Sequence, residues 1–520
     1  MDSTSPAGSA QAKQRRVAFI ILAIIVLAGG VLRFYDLGGK ALWLDEVFTM
    51  VRTDGAGPGE ILERVKTNER HPPLFHLLSA PLLRPGHGDA ALRLLPALAS
   101  SLTVLLTGLL AWRAFGRNAG LVAAGLAAVS SFEVVAGQEG RPTALATMLL
   151  AAATLAFHRA VFGENGRGAA LAAMAYGLLT ALALHTYYYA VFLVAAQLLF
   201  LLLRGVVLAV RPAPETGRPQ AFIKGLCWPA ALAGMVGGLL FLPWLLWARE
   251  SLARFSGMAA AKETVNYGPL TLLDFFRALT IFPLKFGVGW LNWGLAVLVV
   301  LLLAAAIVAG WRRHRPSTAL FALLLALPLL AVLLTPFKPE LFQARHLAFL
   351  GPYFFVLLAA LPGLLRPRWL AIIPGLLYLG LNLFSLQLYF DEGTRKTAVR
   401  EATAAIAAAA RPGDAVLFNP AFASHSFERY ETGQPLPRII VYPGEFERLK
   451  GELRRRPRVW LVEYRGATFG PLPSYDATVR RTLRPAGKRR TFAGYNEAIT
   501  VSLHVNPAAR PRRPGPGGTP

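Results

Sequence analysis

Apolar positions fall into long unbroken blocks up to about residue 390 of this chain and into short runs after it. Blocks near the roughly 17 to 25 residues that cross a bilayer lie at about 17–32, 90–111, 119–136, 142–159, 169–184, 187–203, 226–247, 290–310, 318–335, 346–363 and 369–389. The pattern predicts a polytopic α-helical membrane protein with about eleven transmembrane helices. The two blocks flanking His185 are short and have no strong turn signal between them.

After Tyr389 the period changes. "KTAVREATAAIAAAARPGDAVLFN" reads as an Ala-rich helix stopped by Arg-Pro-Gly-Asp and followed by a strand; "PRIIVYPG" and "PRVWLVEY" read as further short strands. Residues 391–508 therefore form a small α/β domain, and 509–520, rich in Pro, Gly and Arg, a disordered tail. The remaining chain divides into a tail, 1–16, and a membrane domain, 17–390, whose first outer loop is 33–89. Lys and Arg are denser in the loops on the side of the N-terminus, which places that terminus in the cytoplasm and, across an odd number of spans, the α/β domain outside the cytoplasm.

Composition narrows the class. Hydrophobic residues are 54% and charged residues 16%, and the net charge is +25. In a soluble chain that charge would raise nucleic-acid binding, but no recognition-helix, finger or RNA-binding pattern accompanies it, and membrane topology with anionic lipids explains it better. No nucleic-acid partner is expected. The one cysteine, Cys227, excludes a disulfide framework and a cysteine-based metal site. An uncleaved first helix is expected over a signal peptide, because many spans follow.

With this topology the unusual polar residues share one face. Asp45 and Glu46 in "LWLDEVFTM", then Glu69 and His71 in "NERHPPLFHLL", lie in the first outer loop; Glu139 and Arg141 in "GQEGRPTAL", His185 and Tyr187 in "LHTYYYAVF", and Lys338 and Arg345 in "FKPELFQARHLAFLGPY" lie in later outer turns. Ionisable residues at membrane depth are costly and usually face a cavity or a partner, so five converging segments point to a functional site. Each also has a plainer reading. Asp45 and Glu46 suit the first turn of an interfacial helix, His71 a turn, Glu139 and Arg141 an ion pair, Tyr188 and Tyr189 an interface belt, and Lys338, Arg345 and His346 snorkelling cations.

"RFYDLGGKALWLDEVFT", "HPPLFHLL", "QEGRPTAL", "LHTYYYAVF" and "ARHLAFLGPYFFVLLA", in this order, resemble the GT-C membrane glycosyltransferases that use polyprenyl-phosphate-linked sugars, the broad group of protein O-mannosyltransferases and the bacterial aminoarabinose transferase of lipid A. The resemblance covers most of the first 390 residues. It implies a first outer loop with short interfacial helices, an essential carboxylate matched by Asp45 with Glu46 as its companion, and a cavity at the outer membrane face. The family's second acid often stands just before the Pro-Pro motif; here Arg70 and His71 stand there and Glu69 precedes them.

The chemistry suits these residues. A polyprenyl-phosphate sugar is already activated, so the protein must align an acceptor hydroxyl, take its proton and stabilise charge on the departing phosphate. Asp45 is the leading general base, with Glu46 or Glu69 orienting the acceptor or helping to hold a metal. Arg141, Lys338, Arg345 and His71 are candidates for the lipid phosphate, and Glu139, His185 and Tyr187 complete the substrate-binding set. Direct displacement inverts the anomeric carbon. Two or three outer-face carboxylates suit Mg²⁺ or Mn²⁺, adjacent Asp-Glu alone is a poor metal signature because neighbouring helical side chains diverge by about 100°, and His71 keeps zinc open, so the metal is unassigned. The expected partners are the donor, a lipid, polysaccharide or protein acceptor, and membrane lipids, at a bacterial inner membrane. A flippase is the competing class; it calls for polar residues through the bilayer midplane and broken helices. A non-catalytic binding protein would tolerate Asp45→Asn.

Overall fold

The structure, a computed structural model, describes residues 6–69, 71–83, 88–163, 167–210, 228–258, 275, 289–334, 344–364, 367, 369–391, 393–442, 444–466, 470–495 and 497–507. These divide into two compact units: the first takes the chain up to Leu37 and from Arg52 to Phe390, the second takes Gly38–Val51 together with the described residues from Asp391 on.

The helices up to the third quarter of the chain are α1 (Pro6–Phe34), α2 (Leu44–Thr53), α3 (Pro58–Asn68), α4 (Leu74–Ser79), α5 (Asp89–Phe115), α6 (Arg117–Val129), α7 (Ser131–Gly137), α8 (Thr143–Phe162), α9 (Arg167–Leu184), α10 (Ala190–Val210), α11 (Trp228–Met258), α12 (Gly289–Arg313) and α13 (Arg315–Leu334). Nine helical stretches among the described residues are long and apolar enough to cross a membrane, α6 with α7 make a bent tenth, and Arg315–Ala331 is a shorter apolar helix. Each predicted block meets one of them, and the chain is a multi-pass helical membrane protein. The blocks around His185 are separate helices, α9 and α10.

Two blocks predicted as plain helices are broken. The 119–136 block bends by 62° between α6 and α7. Ser130 stands at the bend, where its hydroxyl accepts from Glu133 N, and the last carbonyls of α6 lose their helical donors. Arg33, 1% exposed, supplies replacements: its guanidinium donates to Ala127 O and Ala128 O, both at 3.0 Å, and to Ser100 Oγ at 2.7 Å. A buried cation is thereby held by backbone oxygens that the bend frees. The 346–363 block is a 3₁₀ turn, Ala344–Leu350, followed by α14 (Gly351–Leu358) and α15 (Leu361–Leu364); Pro352 and Pro362 remove the N–H groups that a continuous ladder requires. Phe390 ends the last helix of this unit, α16 (Trp369–Phe390).

Close helix approach in the first unit relies on small residues. A Cβ on Gly177 of α9 would stand 2.6 Å from Ala233 O of α11, and one on Gly237 of α11 would stand 2.9 Å from Gly177 O. No larger residue fits either place without parting the helices.

The second unit is an α/β sandwich. Its strands are β1 (Ala415–Asn419), β2 (Arg438–Ile439), β3 (Arg458–Gly466), β4 (Arg484–Pro485), β5 (Arg490–Ala493) and β6 (Glu497–Val505), ordered β2-β1-β3-β6-β4 with β5 on β6. β1 is parallel to β2 and β3, and β6 runs antiparallel to β3 from Arg458↔Val505 to Gly466↔Glu497. Alternate residues serve opposite faces. Val416, Phe418, Trp460, Val462 and Tyr464 meet the helix α17 (Val399–Ala407) on one side; Ala415, Leu417, Val459 and Leu461 meet Leu449, Leu453, Tyr475 and Val479 on the other. Ala41 joins the first of these cores, far in sequence from the rest.

Candidate functional site

The Pro72-Pro73 pair shapes the first loop. Pro73 cannot continue α3 and instead stands at the N-cap of α4. Glu69 leaves α3 as its extended C-cap, φ −122° and ψ 148°, and its side chain is buried. Leu74 N, an orphan donor at the start of α4, finds His185 O at 3.0 Å. The loop is so tied to the turn between α9 and α10.

Glu69 is the centre of a charged cluster. Its carboxylate lies 2.8 Å from Arg52, 3.7 Å from His76 Nε2 and 3.8 Å from Arg141. Burial opposes its charge, yet the Arg52 and Arg141 guanidinium groups beside it, with a polar contact from His76, hold its carboxyl well below the usual carboxylate range. Glu69 is therefore ionised, and a carboxylate so stabilised is a poor base but a firm anchor for two guanidinium groups.

His71 lies at the edge of this cluster, stacked on Tyr187 with ring centres 5.3 Å apart. Burial, then the Arg141 charge, push its pKa well below the ordinary imidazole value. The ring is neutral, so toward a phosphate it offers an N–H rather than a charge. Tyr187 in turn donates to His346 O at 3.2 Å, on the turn that carries Arg345. Tyr188 accepts from Trp244 Nε1 at 3.0 Å, which joins α11 to the turn between α9 and α10.

Of the residues singled out in the sequence, Glu69, His71, Arg141, His185, Tyr187 and Arg345 come from four of the five segments and are brought together in the first unit. Glu139 stands in the turn with Arg141, whose N–H donates to Glu139 O. His185 turns its Nδ1 to Ala181 O at 2.9 Å, a C-terminal carbonyl of its own helix. Lys338 lies outside the described residues. Arg52 and His76 are the charged or titratable partners of Glu69 that sequence reasoning missed. The available signals were one cation in the apolar run "VFTMVRT" and a second histidine one turn into the helix that Pro72-Pro73 starts.

Asp45 and Glu46 belong to the second unit. Both stand in the first turn of α2, so the helix-terminus reading of this acidic pair describes their local structure. Glu46 is fully buried: one oxygen accepts from Trp43 N at 3.3 Å, the return half of a capping box, and the other lies 3.9 Å from Lys396 Nζ.

The two guanidinium groups that share Glu69 make a donor set ill-suited to a divalent cation, and among the described residues no three His, Cys, Asp or Glu side chains converge as a metal site.

A bundle of apolar helices in a chain that also carries a small α/β unit has the GT-C type of fold. Residues 70–214, which include the Pro-Pro turn, Arg141 and Tyr187, match the family described as dolichyl-phosphate-mannose-protein mannosyltransferase. The chain is similar in fold to ArnT from Cupriavidus metallidurans in the apo state, at 14% identity and TM-score 0.57 over 94% of this chain and 98% of that one. The same enzyme bound to undecaprenyl phosphate gives 13% and 0.55 over 92% and 97%. The Archaeoglobus fulgidus oligosaccharyltransferase in complex with zinc and sulfate gives 14% and 0.51 over 85% and 67%. No curated protein matches the chain in sequence.

Proposed function

We propose that this protein is a glycosyltransferase that moves a sugar from a polyprenyl-phosphate donor to an acceptor hydroxyl at the outer face of a bacterial inner membrane, with its N-terminus in the cytoplasm. The observation that carries the reading is the buried carboxylate of Glu69 shared between Arg52 and Arg141. Arg52 and Arg141 put two guanidinium groups, side chains that match phosphate oxygens, in a largely desolvated place, where they suit a phosphate that gains charge as its bond to the sugar breaks. The match of residues 70–214 to a dolichyl-phosphate-mannose enzyme family and the likeness to an ArnT structure holding undecaprenyl phosphate support the donor class.

In this mechanism the acceptor oxygen attacks the anomeric carbon, its proton passes to the Asp45 carboxylate, and the sugar–phosphate C–O bond breaks with its electron pair on the leaving polyprenyl phosphate. Arg141, Arg52 and Arg345 steady that phosphate, and neutral His71 donates a hydrogen bond to it. Glu69 keeps the guanidinium groups in place. Backside attack inverts the anomeric configuration. Asp45 takes the base's part from the resemblance of "LWLDEVFT" to the family's first loop.

The test is turnover of a panel of radiolabelled polyprenyl-phosphate sugars by the purified protein in lipid, wild type beside Asp45→Asn, with and without EDTA. Asp45→Asn is expected to lose transfer by about a thousandfold or more while folding normally. Equal turnover by both proteins would remove Asp45 from the mechanism, and an EDTA-sensitive rate would give a metal a place in it.

A further inference from the structure

The helix that carries Asp45 begins at Leu44, and its first N–H groups have no partner within the helix. The usual remedy is a nearby Ser, Thr, Asp or Asn at the N-cap. Here the N-cap is Trp43, which has no side-chain acceptor. Leu44 N instead donates to Glu497 Oε1 at 2.9 Å, a residue 453 positions later at the start of β6.

That bond is one of a set within the second unit. Lys40 Nζ donates to Thr394 O at 2.6 Å, Arg400 to Gly39 O at 2.8 Å, and Leu42 N to Tyr430 Oη at 2.7 Å; Lys396 lies 3.9 Å from Glu46. Glu46, Lys396 and Glu497 are each at most 2% exposed. A segment of fourteen residues, Gly38–Val51, is thus fastened by at least five polar contacts, and two of them hold Leu44 and Glu46, the residues on either side of Asp45.

We infer that Glu497 is a positioning residue for the transfer reaction: its carboxyl is the N-cap of α2, supplied from the C-terminal sheet, and it sets the orientation in which Asp45 is presented. The inference rests on Asp45 being the base. It gives the C-terminal sheet a part in catalysis through α2, and it separates the adjacent acids by role, with Asp45 reacting and Glu46 closing the capping box. Burial pushes the Glu497 carboxyl up to about 8, so at neutral pH it is a neutral acid whose closest mimic is glutamine. What the cap needs is an oxygen at the reach of a glutamate, not a charge.

Reach and charge are separated by two mild variants. Glu497→Gln keeps the oxygen in place and removes the ionisable group; Glu497→Asp keeps the group and withdraws the oxygen by one methylene. With donor turnover from the radiolabelled panel and hydrogen exchange over residues 42–50 as readouts, Glu497→Gln is expected within about threefold of wild type in kcat. Glu497→Asp and Glu497→Ala are expected to fall by about 10- to 100-fold in kcat with donor KM little changed, as misplacement of a reacting group does. Exchange at the first turn of α2 should rise in Asp and not in Gln. Should Glu497→Ala fail to fold, the Gln and Asp pair still decides. Glu497→Asp as active as Glu497→Gln or more so overturns the inference, as do three variants at wild-type kcat beside an inactive Asp45→Asn, which would leave the functional reading standing. An active Asp45→Asn overturns both.

Discussion

Glu69 in the first unit and Glu497 in the second are glutamates with almost no solvent exposure, 7% and 2%, and burial opposes the charge of each. Their protonation nevertheless goes opposite ways. Glu69 has Arg52 and Arg141 about it and is held ionised. Glu497 is driven up to about 8 by burial, with Asp45 and Glu46 adding to the rise and the Leu44 N–H opposing it. Burial raises both acids, and it prevails at Glu497, where Asp45 and Glu46 add to it, but is overcome at Glu69, where two guanidinium groups stand beside the carboxylate. The difference suits two tasks: an ionised acid fixes cations that meet a phosphate, and a neutral one caps a helix without adding a third negative charge beside Asp45 and Glu46.

The strongest way to break this contrast is through the cations of the first cluster. Arg141→Ala should lower donor turnover by about 10²- to 10³-fold, the scale for loss of one group that stabilises a developing anion, and Arg141→Lys should recover only part of it, because a point charge replaces a two-pronged donor. Turnover at the wild-type rate in Arg141→Ala would reduce the Glu69 cluster to a structural role like that of its counterpart.

The same substitution made in both clusters sharpens the comparison further. Glu69→Gln leaves two buried guanidinium groups facing a neutral amide and should cost about 3 kcal/mol of stability. Glu497→Gln replaces a neutral acid by its near isostere and should cost under about 1 kcal/mol at pH 7. Thermal unfolding in lipid nanodiscs reads both, and equal losses would mean that the two acids share one charge state.

How much of this could be read from residues alone varied with the range of the interaction. The apolar blocks and the Pro72-Pro73 turn are local patterns, and the helices and the extended Glu69 follow them. The gathering of Glu69, His71, Arg141 and Tyr187 followed from topology, since their segments were placed on one face. The bend at Ser130 was hidden because an apolar run looks the same straight or bent, and Arg33, which provides for the freed carbonyls, lies about a hundred residues away. The membership of Gly38–Val51 was hidden for a related reason. "LWLDEVFTM" has the apolar character of a membrane-interface segment, but the groups that hold it, Lys396, Tyr430 and Glu497, lie 350 or more residues after their partners, and no local period encodes such a pairing.

The smallest effect expected is a pair of opposite pH dependences. Glu69 has its pKa lowered on folding, so its contribution is complete above the unfolded value of 4.5 and is lost as pH falls from there through the folded value. Glu497 has its pKa raised from 4.5 to about 8, so between those limits the folded protein keeps a proton that the unfolded chain has released. Its contribution is complete below 4.5 and is lost as pH rises toward 8. Between pH 7 and pH 8 this should weaken the second unit by about 1 kcal/mol, and Glu497→Gln, which has nothing to titrate there, should not show it. Melting curves of wild type and Glu497→Gln that ran parallel from pH 6 to pH 9 would place the Glu497 carboxyl in its ordinary range. The cap on α2 would then be a carboxylate throughout, with its negative charge at the positive end of that helix, and Glu497→Gln would no longer stand for the native group.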